Sequence, residues 1–171
     1  MSGAAARVRP ESEADLAFLA RLYASTRAAE LAQVDWDDAA KERFCAQQFA
    51  AQRAYYRENY PAASFDIIEV EGVPVGRLYL EERAVEIRLI DISLAPAARG
   101  AGVGSALLEA VLARAGAAGK PVTVHVERFN RALALYRRLG FRVREERGVY
   151  LFLERPPDAA RAPEEAACST G

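Results

Sequence analysis

The segment Ile92-Ser93-Leu94-Ala95-Pro96-Ala97-Ala98-Arg99-Gly100-Ala101-Gly102-Val103-Gly104-Ser105 constrains the fold more than any other stretch of the chain. An apolar run enters a glycine-rich turn, and from the turn emerges a stripe of Val103, Leu107, Leu108, Val111, Leu112 and Ala115 at helical spacing. Strand, tight loop and helix in that order aim the helix N-terminus at the end of the strand. The first turn of such a helix presents unpaired N–H groups and a partial positive charge of about half a unit, while glycines let a ligand approach the backbone. Phosphate oxygens are the natural guest. Spacing excludes two common phosphate loops. A nucleoside-triphosphate loop needs Lys and then Ser or Thr after its last glycine, whereas Ser105 and Ala106 follow Gly104. A dinucleotide fingerprint needs a third glycine where Ser105 or Leu107 stands.

The 171 residues suit one domain at roughly 100 to 200 residues per domain. Val8-Arg9-Pro10 reads as a short first strand. Ser12 with Glu13 and Asp15, followed by Leu16, Leu19, Leu22 and Tyr23, reads as a capped amphipathic helix ending near Thr26. Asp37 and Asp38 open a second helix through Phe44, Gln48, Ala51 and Tyr55, which Pro61 terminates. Runs at 65–71, 75–81 and 85–94, with short joints, predict an antiparallel meander. After the glycine loop and its helix come a strand around Val122 to Val126, a further helix, and two strands at 141–144 and 149–153. Residues 155–171 are rich in Ala, Pro and Glu without apolar periodicity, so the domain is expected over 1–154 with 155–171 as a flexible tail.

The pattern Arg99-x-x-Gly102-x-Gly104, with Pro96 three residues ahead of the arginine, resembles the pyrophosphate loop of the GNAT superfamily of acyl-CoA-dependent N-acyltransferases. Leu135-Tyr136-Arg137-Arg138-Leu139-Gly140-Phe141 is similar to that family's late helix with its L-Y-x-x-x-G-F ending. Together these cover the chain from about Val85 to Leu153. The resemblance implies an α/β (α+β) fold: a mixed, mostly antiparallel sheet of about seven strands, splayed between the fourth and fifth and flanked by about four helices. It implies acetyl-CoA as co-substrate. Pantetheine would pair with the fourth strand at Ile92 and Leu94, and the phosphates would lie at Arg99, Gly100, Gly102, Val103, Gly104 and Ser105. The family's Asn-x-x-Ala is altered here to Asn130-Arg131-Ala132, which leaves Asn130 either a helix cap or a cofactor contact.

The implied reaction moves an acetyl group from the thioester to a primary amine of a small molecule, peptide or protein in a ternary complex. Tyr136 stands at the position of the family's general acid, and a phenol remains protonated at neutral pH; a core tyrosine is the other reading. Glu86 and Asp91 are the two carboxylates available as base. Simple alternation along the strand points them to opposite faces unless a bulge shifts the register, and a water chain is a third option. A non-catalytic acyl-CoA-binding sensor or regulatory module is the alternative function.

Other side chains carry weaker signals. Trp36, Tyr55, Tyr56 and Tyr60 cluster about the second helix, where an acceptor pocket is expected, and Asp35, Asp37 and Asp38 either attract a cationic amine or mark a helix start. His125, the one histidine, reads as a strand residue; alone it makes no metal site, and no metal is expected. Cys45 and Cys168 read as spare thiols. Lys plus Arg total 23 against 24 Asp plus Glu, which removes the electrostatic case for nucleic acid. Charges break every apolar run well short of the ~18 residues of a bilayer span, so a cytoplasmic protein with no membrane partner is expected. A homodimer through the strand at 149–153 remains open.

Overall fold

In a computed structural model, residues 5–158 are described. The elements in chain order are β1 (Ala6–Pro10), a short 3-10 turn (Glu13–Asp15), α1 (Leu16–Leu31), α2 (Asp38–Asn59), β2 (Ser64–Val70), β3 (Val73–Glu82), β4 (Ile87–Leu94), a second 3-10 turn (Pro96–Ala98), α3 (Val103–Ala117), β5 (Val122–Glu127), α4 (Leu133–Arg138), β6 (Arg142–Arg147) and β7 (Tyr150–Arg155). One seven-stranded sheet runs in the order β1-β2-β3-β4-β5-β7-β6. Every neighbouring pair is antiparallel except β4 with β5, which is parallel. The expected mixed sheet with four flanking helices is the observed one.

Local chemistry explains the boundaries. Ser12 and Asp15 form a reciprocal capping box ahead of α1, and Arg9 clamps the Asp15 carboxylate with two bonds of 2.9 and 2.8 Å. The first helix runs on to Leu31, past the expected stop near Thr26. Ser25 and Thr26 turn their hydroxyls back onto the carbonyls of Leu22 and Tyr23, at 2.6 Å each, and so remain helical. Asp37 caps α2 by accepting the Ala40 N–H at 2.7 Å. Val85 is exposed in a bend, and β4 starts only at Ile87.

The main core lies between the sheet and α3. Leu108, Val111 and Ala115 of α3 meet Leu78, Leu80, Ile87, Leu89, Val122, Val124, Leu151 and Leu153, and burying such side chains contributes about 1.5 to 3 kcal/mol each. On the opposite face, Leu19, Leu22 and Tyr23 of α1 are buried, and Tyr56 of α2 packs edge-on against Tyr79 of β3. Strand β7 ends at Arg155. Most of the expected tail, with Cys168, lies outside the described residues.

Candidate active site

Parallel pairing between β4 and β5 involves only Ile87 with Val122, Arg88 with Thr123 and Leu89 with Val124. Beyond Leu89 and Val124 both strands continue, β4 to Leu94 on β3 and β5 to Glu127 on β7, without pairing each other. The sheet is therefore split from Ile90 onward, and the backbone from Ile90 to Leu94 edges the gap. Ile92, Leu94, Val103, Leu107, Leu133 and Leu135 are partly buried and packed against the core.

At the end of β4 the chain passes through Pro96–Ala98 into α3. Gly100 and Gly102 have φ of +79° and +82°, the left-handed region that other residues enter only at a cost of about 1 to 2 kcal/mol. A Cβ at either would meet nothing within 4 Å, so backbone conformation selects glycine there and the space beyond is open. Gly104 differs. Its Cβ would lie 3.6 Å from Leu94 and 3.7 Å from Leu135, where α3, β4 and α4 converge. No side chain caps α3 at Gly102, which leaves the N–H groups of its first turn available to an anion.

Arg99 donates to the Leu94 carbonyl at 3.1 Å, which ties its guanidinium to the mouth of the gap. Burial depresses its pKa, and so does the positive charge of Arg131 from the β5–α4 connection. Two cations close enough to repel each other, beside an uncapped helix N-terminus, are what a polyphosphate would neutralise. Sequence reasoning passed over Arg131; its position next to Asn130 in the altered motif was the available signal. Asn130 itself accepts the Ala132 N–H at 2.7 Å, an Asx turn in the connection that leads into α4.

Tyr136 projects from α4 into the core with only 3% of its surface exposed, packed on Phe141 at 5.3 Å between ring centroids. Its hydroxyl has no hydrogen-bond partner among the described residues. Burial raises its pKa, and the negative charge of Asp91 raises it further. The phenol is accordingly a proton donor and not a phenolate at neutral pH.

The two carboxylates are arranged by a bulge. Glu81 pairs with Arg88 and Leu80 with Leu89, but Tyr79 pairs with Asp91, so Ile90 is the extra residue. This corrects simple alternation: Asp91 shares the face of Arg88, and Glu86, bonded to Thr123 opposite Arg88, is on that face too. Their surroundings differ. Asp91 lies beyond the last β4–β5 pair, gripped by the nearly buried Arg77 and accepting Ser93 at 3.0 Å. Glu86 lies before the first pair, held by Thr123, Arg83 and Arg88. Burial works to raise the Glu86 pKa, but the Thr123 hydrogen bond and the charges of Arg88 and Arg83 bring it below the usual range.

The aromatic residues expected around an acceptor do not form one pocket. Tyr56 stacks with Tyr60 and Tyr79 between α2 and the sheet, Tyr55 is exposed, and Trp36 packs edge-on against Phe44. A cavity of about 270 Å³ instead opens over Arg88, His125, Glu145, Arg147, Tyr150 and Phe152. Among the described residues no group of three His, Cys, Asp or Glu is placed to hold a metal, and no helix is long and apolar enough to cross a membrane.

A split sheet, an uncapped helix N-terminus at the end of β4 and a protonated phenol on α4 are the features of this site. The family model for the acetyltransferase (GNAT) family matches residues 26–141, more than half of the chain, and the protein belongs to that family; it is an acyltransferase. Solved structures share the fold. The PaiA N-acetyltransferase of Thermoplasma acidophilum, in complex with coenzyme A, is 18% identical, with 91% of this chain and 99% of that one covered and a TM-score of 0.67. An acetyltransferase of Thermus thermophilus is 20% identical over 91% and 99%, with a TM-score of 0.65. YncA of Salmonella typhimurium, solved with its cofactor acetyl-CoA, is 21% identical over 94% and 98%, with a TM-score of 0.55. No curated protein sequence matches.

Proposed function

We propose that the protein transfers the acetyl group of acetyl-CoA to a primary amine by direct attack, without a covalent enzyme intermediate. The observation that carries this reading is the convergence of three features on the free part of β4: the uncapped N-terminus of α3 with Arg99 and Arg131, the split edged by Ile92 and Leu94, and the protonated phenol of Tyr136, whose pKa is raised by burial and by Asp91. In this reading the backbone N–H groups of Val103, Gly104 and Ser105 and the two guanidiniums hold the phosphates. The edge of β4 orders the pantetheine arm and brings the thioester to the split.

The neutral amine nitrogen attacks the thioester carbonyl carbon, and the oxyanion is met by a β4 backbone N–H, with Ile92 the proposed donor. As the C–S bond breaks, Tyr136 gives its proton to the departing sulfur and recovers one from solvent. The proton lost by the amine leaves through water toward Asp91, whose fixed negative charge beyond the last β4–β5 pair favours that direction. Glu86 serves at one remove by holding Arg88.

The test is twofold. Acetyl-CoA should raise the melting temperature, by about 2.7 kcal/mol of stabilisation at 100 times its Kd, while ATP and NAD at equal concentration should not. Free thiol should then appear from acetyl-CoA when a library of primary amines is added. Equal shifts with all three nucleotides, or no thiol release with any amine, would overturn the reading.

A further inference from the structure

We propose that the 270 Å³ cavity over β4, β5, β7 and β6 selects an acceptor amine that also carries a carboxylate, with Arg88 as the anion-binding residue. This deepens the reading above and rests on it. The cavity reaches from Arg88, in the middle β4–β5 pair, to His125, one residue past the last pair, and so borders the start of the split.

Arg88 is held on three sides, and its side chain is only 11% exposed. Nε donates to Thr123 at 2.8 Å, Nη2 leans at 3.4 Å on Glu86, and the guanidinium lies 5.5 Å from the centre of the Phe152 ring. Nη1 has no partner among the described residues. Arg88 lines the cavity, and Nη1 is its nitrogen left free to bind a ligand there. An arginine locked in this way with one free edge is organised in advance for an oxyanion, so little side-chain entropy is lost when the anion arrives.

The rest of the lining fits. Arg147 supplies a second cation, with Glu145 at 2.7 Å as its partner. His125 and Phe152 stack at 4.8 Å and, with Tyr150, form an aromatic wall for the body of a small molecule. Burial and the Arg88 charge lower the His125 pKa, so the ring is neutral at pH 7 and does not repel an ammonium on its way to the split. The volume of about 270 Å³ suits a molecule of amino-acid size.

The experiment compares thiol release for matched pairs, each an α-amino acid and its decarboxylated amine, with an amino-alcohol phosphate ester as a third arm. At least one amino acid should exceed its decarboxylated partner tenfold in kcat/KM, and Arg88→Gln should erase that preference through KM rather than kcat. Equal or better turnover of the decarboxylated amine or the phosphate ester would overturn the proposal. A second readout needs no turnover: His125 is the one histidine, so its ring resonance reports on the cavity directly. N-acetyl amino acids, the products, should shift it saturably in the unmodified protein and not in Arg88→Gln. Should Arg88→Gln fail to fold, Arg147→Gln, at a highly exposed position, should weaken the same titration at least threefold; an unchanged titration would count against the site. A saturable His125 shift without thiol release from any amine would sink the transfer reading and leave the carboxylate site standing. Thiol release without carboxylate preference or shift would sink the site alone.

Discussion

Replacing Tyr136 by Phe removes one oxygen from a ring that is otherwise fully packed. The Phe141 contact survives, and no hydrogen bond to a described residue is lost. Stability should therefore change by less than about 1 kcal/mol, well below the ~3 to 5 kcal/mol of deleting a core aromatic. Binding of CoA should be equally insensitive. Turnover should not, because the thiolate would then have to take its proton from water. A loss of ~100-fold, or about 2.7 kcal/mol in the barrier, is the lower end expected for a missing general acid. Burial and Asp91 both raise the phenol pKa, so the unmodified enzyme should show no alkaline fall in rate from this group near the ordinary tyrosine pKa of about 10. The assay is steady-state thiol release on an identified amine, with single-turnover measurements to confirm that chemistry limits the rate. Full turnover in Tyr136→Phe would refute the assignment and leave water as the donor.

Ser105→Glu adds an acid to the first turn of α3, where the helix dipole favours it; the melting temperature of the ligand-free protein should hold or rise while CoA affinity in calorimetry falls at least tenfold, about 1.4 kcal/mol. Arg99→Gln and Arg131→Gln should each weaken CoA binding and flatten its dependence on salt, and the Arg131 change alone should relieve part of the depression of the Arg99 pKa, since the two cations repel. Asp15 has its pKa brought down from 3.8 to about 2 by the hydrogen bonds from Arg9; its share of stability is present above a pH of about 4 and is lost as pH falls through the folded-state value, so denaturation curves of Asp15→Asn should lose that part of the acid dependence.

The glycine loop was legible because its signal is local: an apolar run, left-handed turn residues and an apolar stripe all fall between Ile92 and Gly116. The split beside it left no trace in composition or periodicity, because β4 and β5 are both ordinary apolar strands and only their register shows that pairing stops at Leu89 and Val124; the family resemblance supplied it. The bulge at Ile90 left no mark either, since an extra isoleucine between Leu89 and Asp91 looks like any other strand residue, yet it decides which face Asp91 takes. The cavity was out of reach for another reason. Arg88, His125, Arg147 and Phe152 come from four strands, and nothing in their spacing announces that the order β4-β5-β7-β6 brings them together.

Three residue pairs are all that join β4 to β5. Mechanically the molecule is two half-sheets, β1 to β4 and β5-β7-β6, sharing the α3 core but stitched edge to edge over a length shorter than a typical strand. A carrier lying in the gap would occupy the place of the missing hydrogen-bonded neighbour and fasten the halves together beyond the stitch. Backbone amides that point into the gap, between Ile90 and Leu94 and between His125 and Glu127, should then exchange with solvent faster than those of Ile87 to Leu89 in the free protein, and slow together once the gap is filled. The cell's supply of carrier would in this way set not only how fast the enzyme works but how cooperatively it unfolds.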